Sequence, residues 1–207
     1  MSMIMKNLTP NNSKDNLPDF VYIFSVDNHD DYWKPLLLES IDRMKEINNI
    51  ELNPQGYYYD FDIKTAPRTY GKLMDNILLD PISELEHMFG SYCRAKNINK
   101  KKGDKDSNVY WFQQYLQGSG FGWHQHNGHW AMVYYVELPE MTEATEFLHF
   151  GQFDVKEGDM IFFPTFLNHR SPEIKSDQRK TIISSNFEFA VDREMIQDYG
   201  IEHFRNR

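Results

Sequence analysis

The sequence predicts a mainly β fold with flanking helices, in which an antiparallel sandwich or barrel follows a helical first half. Short runs rich in β-branched and aromatic residues follow one another after residue 108, and clusters of Gly, Pro, Asn and Asp separate them. Before these runs, apolar residues recur at helical spacing instead. The β-type runs cover 109–116, 130–137, 145–150, 159–163 and 180–189.

The first half is predicted to contain one strand and two helices. Residues 20–24 form the strand, because they are aromatic or β-branched throughout. A first helix is predicted over 31–47, with Pro35 in its first turn, where the missing N–H costs little. A second helix is predicted to begin with Asp80 as its N-cap and Pro81 in its first position. Its apolar stripe consists of Ile82, Leu85, Met88, Phe89 and Tyr92.

The chain is predicted to form one domain over 1–207. A length of 207 residues suffices for one well-buried core, and no repeat or linker divides the sequence. We expect a helical support region at 1–108, a β core at 109–190 and a C-terminal helix at 191–207.

Composition narrows the classes of partner. The chain carries 31 acidic and 22 basic residues, and its formal net charge of −9 disfavours attraction to nucleic acid. Its apolar runs are far shorter than the roughly 18 residues that span a bilayer, and the N-terminus lacks the apolar core of a secretory signal. A single cysteine, Cys93, excludes an intrachain disulfide. We therefore expect a cytoplasmic protein without nucleic-acid or membrane partners, and the sequence leaves its oligomeric state open.

Three histidines are candidate metal ligands. In His124-Gln125-His126, a strand would direct both imidazoles to one face, because side chains alternate with a period of two. His169 follows a predicted turn and strand at 158–164 and is the candidate for a third ligand. His129 falls on the opposite face at this spacing and is not expected to bind.

Arg179 is a candidate for binding an anion beside these histidines. It lies ten positions after His169, and residues 176–178 have turn chemistry. If the two residues lie on adjacent antiparallel strands, the guanidinium points along the same pocket as the imidazole. A guanidinium matches a carboxylate through two parallel hydrogen bonds.

The order and spacing of these residues resemble the 2-oxoglutarate/Fe(II)-dependent dioxygenases, and most closely their prolyl-hydroxylase-like and phage or marine bacterial branch. The resemblance covers roughly residues 110–190. It rests on Tyr115-x-x-Gly118-x-x-Phe121-x-x-His124-x-His126, on Gly158-Asp159-x-x-x-Phe163-Pro164, on His169 and on Arg179-x-Thr181.

The resemblance implies a double-stranded β-helix core, which is a jelly-roll, cupin-like fold, and an oxidoreductase activity. His124 and His169 would bind iron. Arg179 would bind the distal carboxylate of the cosubstrate 2-oxoglutarate, with Thr181 or Tyr115 as a hydroxyl partner. Oxidation of the substrate would be coupled to conversion of 2-oxoglutarate into succinate and carbon dioxide.

The sequence departs from the family at residue 126, where the usual ligand is an aspartate or glutamate. Three interpretations stand. His126 completes a set of three histidines, which suits Fe(II) because imidazole is an acceptable ligand. Alternatively, Glu146 supplies the carboxylate, or the acid is lost and the metal binds weakly or not at all. We favour the first interpretation.

Two further functions are open. One is a cupin-like three-histidine dioxygenase that does not use 2-oxoglutarate, although cupins usually place a glutamate where this chain has Trp130 and Ala131. The other is a non-catalytic β-barrel binding module. The sequence does not identify the substrate, which is expected to be a peptide or a small molecule.

Overall fold

The computed structural model describes residues 21–61, 68–89, 93–97 and 110–191. Within these ranges the chain forms two α-helices and eleven strands, with a π-helical turn at His29–Trp33 and a 3-10 turn at Met141–Glu143. The elements are β1 (Tyr22–Ser25), α1 (Lys34–Asn48), β2 (Tyr57–Tyr59), α2 (Gly71–Met88), β3 (Cys93–Asn97), β4 (Tyr110–Tyr115), β5 (Phe121–His124), β6 (Trp130–Glu137), β7 (Glu146–Phe147), β8 (Gly151–Gln152), β9 (Asp159–Pro164), β10 (His169–Ser171) and β11 (Lys180–Val191).

The strands form two antiparallel sheets. The larger sheet has seven strands in the order β1-β9-β6-β11-β4-β2, and β3 pairs with the far end of β11. The smaller sheet has four strands in the order β5-β10-β7-β8. Strands that are neighbours in space are distant in sequence, as in a jelly roll. The predicted mainly β fold with flanking helices and a jelly-roll core is confirmed.

Alternation along the central strands divides the core into two layers. On β6, Met132 and Tyr134 pack with the buried faces of α1 and α2, while Val133 and Tyr135 face the smaller sheet. The helices therefore cover one face of the large sheet, and the small sheet covers the other. A strand buried on both faces has no polar side, which is typical of the middle layer of a three-layer structure.

The second helix begins earlier than the sequence predicts. It runs over Gly71–Met88, so Asp80 and Pro81 lie inside it rather than at its start. Pro81 lacks the N–H that would donate to the preceding turn, which normally ends a helix. Here Ile77, Leu78 and Leu85 are buried on the same helix, and tertiary packing maintains the helix through the proline.

The β-type runs largely match strands, with one exception. The run at 145–150 forms a two-residue strand followed by a turn, in which His149 has a positive φ of 74°. Strands β5 and β10 were not predicted from β-type runs. The predicted C-terminal helix lies outside the described residues apart from Val191, where β11 ends. Among the described residues, no helix is long and apolar enough to cross a membrane.

Candidate functional site

The structure brings His124, His126 and His169 together at one edge of the small sheet. His169 on β10 lies directly opposite His124 on β5 in the antiparallel pairing. His126 lies two residues beyond the end of β5, where its backbone N–H donates to the Thr165 carbonyl. Strand alternation therefore accounts for His124 and His169, whereas the bend after β5 directs His126 towards them.

The three imidazoles are close enough to share one ion. One ring nitrogen from each histidine lies within 4.8 Å of the other two. The Nε2 atoms of His126 and His169 are 3.2 Å apart. Two ligands of a metal ion, each about 2.1 Å from it, are separated by roughly 3.0–3.4 Å. The observed spacing matches that range.

Backbone carbonyls orient two of the rings. Nδ1 of His124 donates to the Gly122 carbonyl, and Nδ1 of His169 donates to the Leu167 carbonyl, both at 2.8 Å. A proton held at Nδ1 leaves Nε2 with a lone pair, which is the usual arrangement around histidines that ligate metals. The small sheet thus supplies the ligands and the groups that set their tautomers.

Burial keeps the three imidazoles neutral. Burial, with a smaller contribution from the neighbouring imidazoles, lowers the pKa of His126 to about 4 and that of His169 to about 3. Burial also lowers the pKa of His124. Neutral imidazole is the form that binds a metal ion, so the site is ready for a cation at neutral pH.

The described residues place no carboxylate in this cluster. Glu146, the alternative acidic ligand, lies on the strand next to His169 but is bound by Arg170. The Arg170 Nε donates to Glu146 Oε2 at 2.7 Å, and its Nη2 lies 2.7 Å from the same oxygen. The geometry therefore favours three histidines over a borrowed carboxylate.

The histidines open into a cavity of about 270 Å³ between the two sheets. The cavity-facing side chains of β4 and β11 form its other wall. Trp111 on β4 lies beside the cluster, with its ring centre 5.9 Å from that of His126. Tyr115 lies deeper in the same wall and is almost completely buried.

Arg179 does not reach this cavity, contrary to the sequence prediction. Its guanidinium binds both carboxylate oxygens of Glu137, at 2.7 and 2.9 Å. The Thr181 hydroxyl donates to the same carboxylate. Neither residue lines the cavity. The reason is strand alternation: residues 179, 181 and 183 face the helical side of the large sheet, and residues 182, 184 and 186 face the cavity.

Lys180, the next residue along β11, faces the small sheet instead. Its side chain is fully buried, and its Nζ donates to Ser171 Oγ at 2.8 Å and to the Glu143 carbonyl. The ammonium also lies 5.2 Å from the centre of the Tyr115 ring. Both Ser171 and Tyr115 line the cavity, so Lys180 lies directly behind its wall.

Burial lowers the pKa of Lys180 to about 7, and the nearby Glu143 carboxylate only partly opposes this effect. A fully buried lysine is rare unless it is paired with an anion. The Lys180 ammonium has hydrogen-bond acceptors around it, but the described residues give it no salt bridge. A basic group of this kind near a candidate metal site suits a ligand that carries a carboxylate.

Comparisons with known proteins bear on the fold. No protein-family model matches the chain, and no curated protein matches its sequence. An oxidoreductase of the 2OG-Fe(II) oxygenase family from Burkholderia pseudomallei is 11% identical at a TM-score of 0.46, with 84% of this chain and 72% of that chain covered. A prolyl-4-hydroxylase from Pseudomonas putida is 13% identical at a TM-score of 0.46, with coverage of 75% and 86%.

A third solved structure is more similar. It is a prolyl hydroxylase from Trichoplax adhaerens in complex with a hypoxia inducible factor oxygen degradation domain peptide fragment. It has a TM-score of 0.54 and 11% identity, and the match covers 84% of each chain. At this identity the likeness establishes the fold, and the chemistry has to be argued from the site itself.

Proposed function

We propose that this chain is an Fe(II)- and 2-oxoglutarate-dependent oxygenase that oxidises a peptide or small-molecule substrate. One observation carries the proposal: three neutral imidazoles line a cavity, and a buried lysine lies directly behind the wall of the same cavity, against Ser171 and Tyr115. The first feature suits a divalent metal ion, and the second suits a carboxylate held at a distance from it.

His124, His126 and His169 would hold the metal ion. The fit rests on their mutual distances, on the two Nδ1–H groups fixed by backbone carbonyls, and on pKa values that keep all three rings neutral. When bound, the metal and 2-oxoglutarate supply oxygen activation coupled to decarboxylation of the cosubstrate. The three rings would hold the ion, and the cavity that they line has room for further ligands.

Lys180 would bind the distal carboxylate of 2-oxoglutarate, in the role that the sequence assigned to Arg179. Ser171 Oγ already accepts from its ammonium, and Tyr115 places a hydroxyl-bearing ring over the same position. A bound carboxylate would favour the protonated lysine, which burial otherwise disfavours. The buried position also keeps water away from the ion pair that would form.

The cavity wall would orient the substrate beside the metal. Trp111 lies close to His126, and Tyr59 and Phe61 continue an aromatic surface from it, with ring centres 5.8 Å apart and nearly parallel planes. The Trichoplax adhaerens protein binds a peptide. A peptide segment is therefore one candidate substrate, and a small molecule of similar chemistry is the other.

Titration with Fe(II) and then 2-oxoglutarate, without oxygen, tests the proposal. The expected result is a visible charge-transfer band from a chelated keto acid, with one metal ion per chain. The band should disappear in His126→Ala, which loses a ligand, and should require far more 2-oxoglutarate in Lys180→Met. Arg179→Ala is the matched control, because it removes the neighbouring basic side chain outside the cavity, and it should keep the band.

The possible outcomes separate the competing functions. Metal binding without the band would favour a cupin-like three-histidine dioxygenase that does not use 2-oxoglutarate. Absence of metal binding would favour a non-catalytic module. A band that depends on Arg179 rather than Lys180 would overturn the assignment of the cosubstrate residue.

A further inference from the structure

Asn186, whose side chain lines the cavity, carries a buried amide oxygen that no described residue partners. The residue is 5% exposed, it lines the cavity, and its Oδ1 accepts no hydrogen bond from any described residue. Its place on β11 follows from alternation, because residues 182, 184 and 186 face the cavity. A buried amide oxygen without a donor is unfavourable, and such groups in a native fold call for an explanation.

The other unpartnered side-chain atoms in the described part of the chain lie elsewhere. They are His29 Nε2, Glu143 Oε2 and Asn168 Oδ1, and none of these residues lines the cavity. Asn186 therefore differs from them in its surroundings: a molecule in the cavity can supply the donor that the protein does not. We infer that Asn186 binds the substrate of this site and that the substrate is an uncharged, amide-bearing molecule. This inference rests on the proposed function.

The charge of the cavity wall indicates an uncharged substrate. Among the described residues that line the cavity there is no aspartate or glutamate, so a cationic substrate would find no counter-charge. Arg170 reaches the cavity, but Glu146 already neutralises its guanidinium. Four amide side chains stand in the wall, and they are Gln113, Gln125, Asn127 and Asn186. These side-chain amides can donate hydrogen bonds to the C=O groups, and accept them from the N–H groups, of an uncharged amide in the cavity.

The shape of the wall indicates a planar group. Tyr59 and Phe61 lie with an interplanar angle of 15°, and the Trp111 indole meets Phe61 edge to face at 5.3 Å. Trp111 is paired with Ser184 across β4 and β11, so this aromatic surface adjoins the row that ends at Asn186. A flat amide could pack against the rings while its N–H donates to Asn186.

Asn186 lies far along β11 from Lys180, where the cosubstrate carboxylate would bind. Lys180 and Asn186 lie on the same strand six residues apart, and both side chains point towards the small sheet, Lys180 to Ser171 and Asn186 to the cavity. At about 3.3 Å per residue this is roughly 20 Å along the strand. A five-carbon keto acid bound between Lys180 and the histidines would therefore leave Asn186 for the second reactant.

Side-chain amide NMR tests this inference with two matched probes. The neutral probe is N-acetylglycine N-methylamide, which contains two uncharged amides, and its charged counterpart is N-acetylglycine. Both are titrated into the ¹⁵N-labelled chain, first without additions and then with zinc and 2-oxoglutarate. The Asn186 side-chain NH₂ signal is assigned by its loss in Asn186→Ser.

The expected result is that the neutral probe shifts the Asn186 signal and binds about tenfold more weakly to Asn186→Ala. Asn168→Ala is the control, because it removes an equally unpartnered amide oxygen outside the cavity, and it should bind the probe as the parent does. Preference for N-acetylglycine, or an equal effect of both variants, would overturn the inference. So would a shift of the Asn186 signal by 2-oxoglutarate but not by the neutral probe.

Failure of the proposed function has a different signature. It would appear as a missing charge-transfer band with Fe(II) and 2-oxoglutarate. The contact between Asn186 and the neutral probe is read from the NMR shift, which does not depend on that band.

Discussion

Replacement of Lys180 by methionine tests whether this ammonium lowers the stability of the ligand-free fold. The side chain is fully buried, and burial lowers its pKa from 10.5 to about 7. That difference corresponds to roughly 5 kcal/mol of penalty on the protonated form. The penalty is complete below pH 7. Between pH 7 and 10.5 the unfolded chain still holds a proton that the folded chain has lost, so the free energy of unfolding of the parent rises with pH.

We expect Lys180→Met to be more stable than the parent at pH 7, with a difference that shrinks by roughly 2 kcal/mol at pH 9. The loss of two hydrogen bonds, to Ser171 Oγ and the Glu143 carbonyl, offsets part of the gain. Urea unfolding of both proteins at the two pH values measures this difference, because all other titrating groups are common to both. A stability difference that does not change with pH would refute the lowered pKa of Lys180.

Three other predictions concern the metal, the surface ion pair and one turn. His126→Ala should lose stoichiometric binding of Fe(II) or zinc, measured by metal analysis after gel filtration, and retained metal would contradict a three-histidine site. Arg179→Ala should leave the 2-oxoglutarate affinity unchanged in calorimetry and lower the free energy of unfolding by about 1 kcal/mol, since its ion pair is only partly buried. Gly158→Ala should destabilise the fold by roughly 1–3 kcal/mol in urea unfolding, because φ is +85° and the new Cβ would lie 2.9 Å from His29 Cγ. Gly118 has nearly the same φ, +81°, but no described atom lies within 4 Å of the Cβ that an alanine would add. An equal loss of stability in Gly118→Ala would therefore show that backbone strain, and not the contact with His29, causes the effect.

The sequence was sufficient to predict the fold class and the clustering of the three histidines, because both follow from residue type. That the histidines bind a metal remains a prediction. Runs such as 130–137 and 159–163 correspond to strands because β-branched and aromatic residues fit a buried sheet. The start of α2 was missed because Pro81 looks like a helix start, and only packing decides that the helix passes through it. Residues 1–108 as a support region of a single domain remain a prediction.

The error at Arg179 has a different cause, which is the phase of alternation on β11. Residues 180 to 187 are all buried and polar residues occur on both faces, so the strand has no solvent-exposed face that would reveal the phase. Ile182 packs against the small sheet and Ile183 against the helices, and the two side chains are chemically identical. Basic residues stand at both 179 and 180, and only the phase of alternation decides which of the two side chains faces the small sheet.

Lys180 and Asn186 show what sequence patterns leave out. Several histidines at a fixed spacing suggest metal binding from the sequence alone, because few other functions need them. Lysine and asparagine are ordinary surface residues in most positions. Here their meaning comes from burial. Lys180 places an ammonium behind the cavity wall, and Asn186 places an amide oxygen in that wall; within the described part of the chain, the first has no salt bridge and the second no donor. Both conditions are unfavourable in the protein alone, and both are relieved by a ligand with the complementary group. The two residues therefore predict the chemistry of two different ligands from the same strand, an anionic cosubstrate at one end and an uncharged amide at the other.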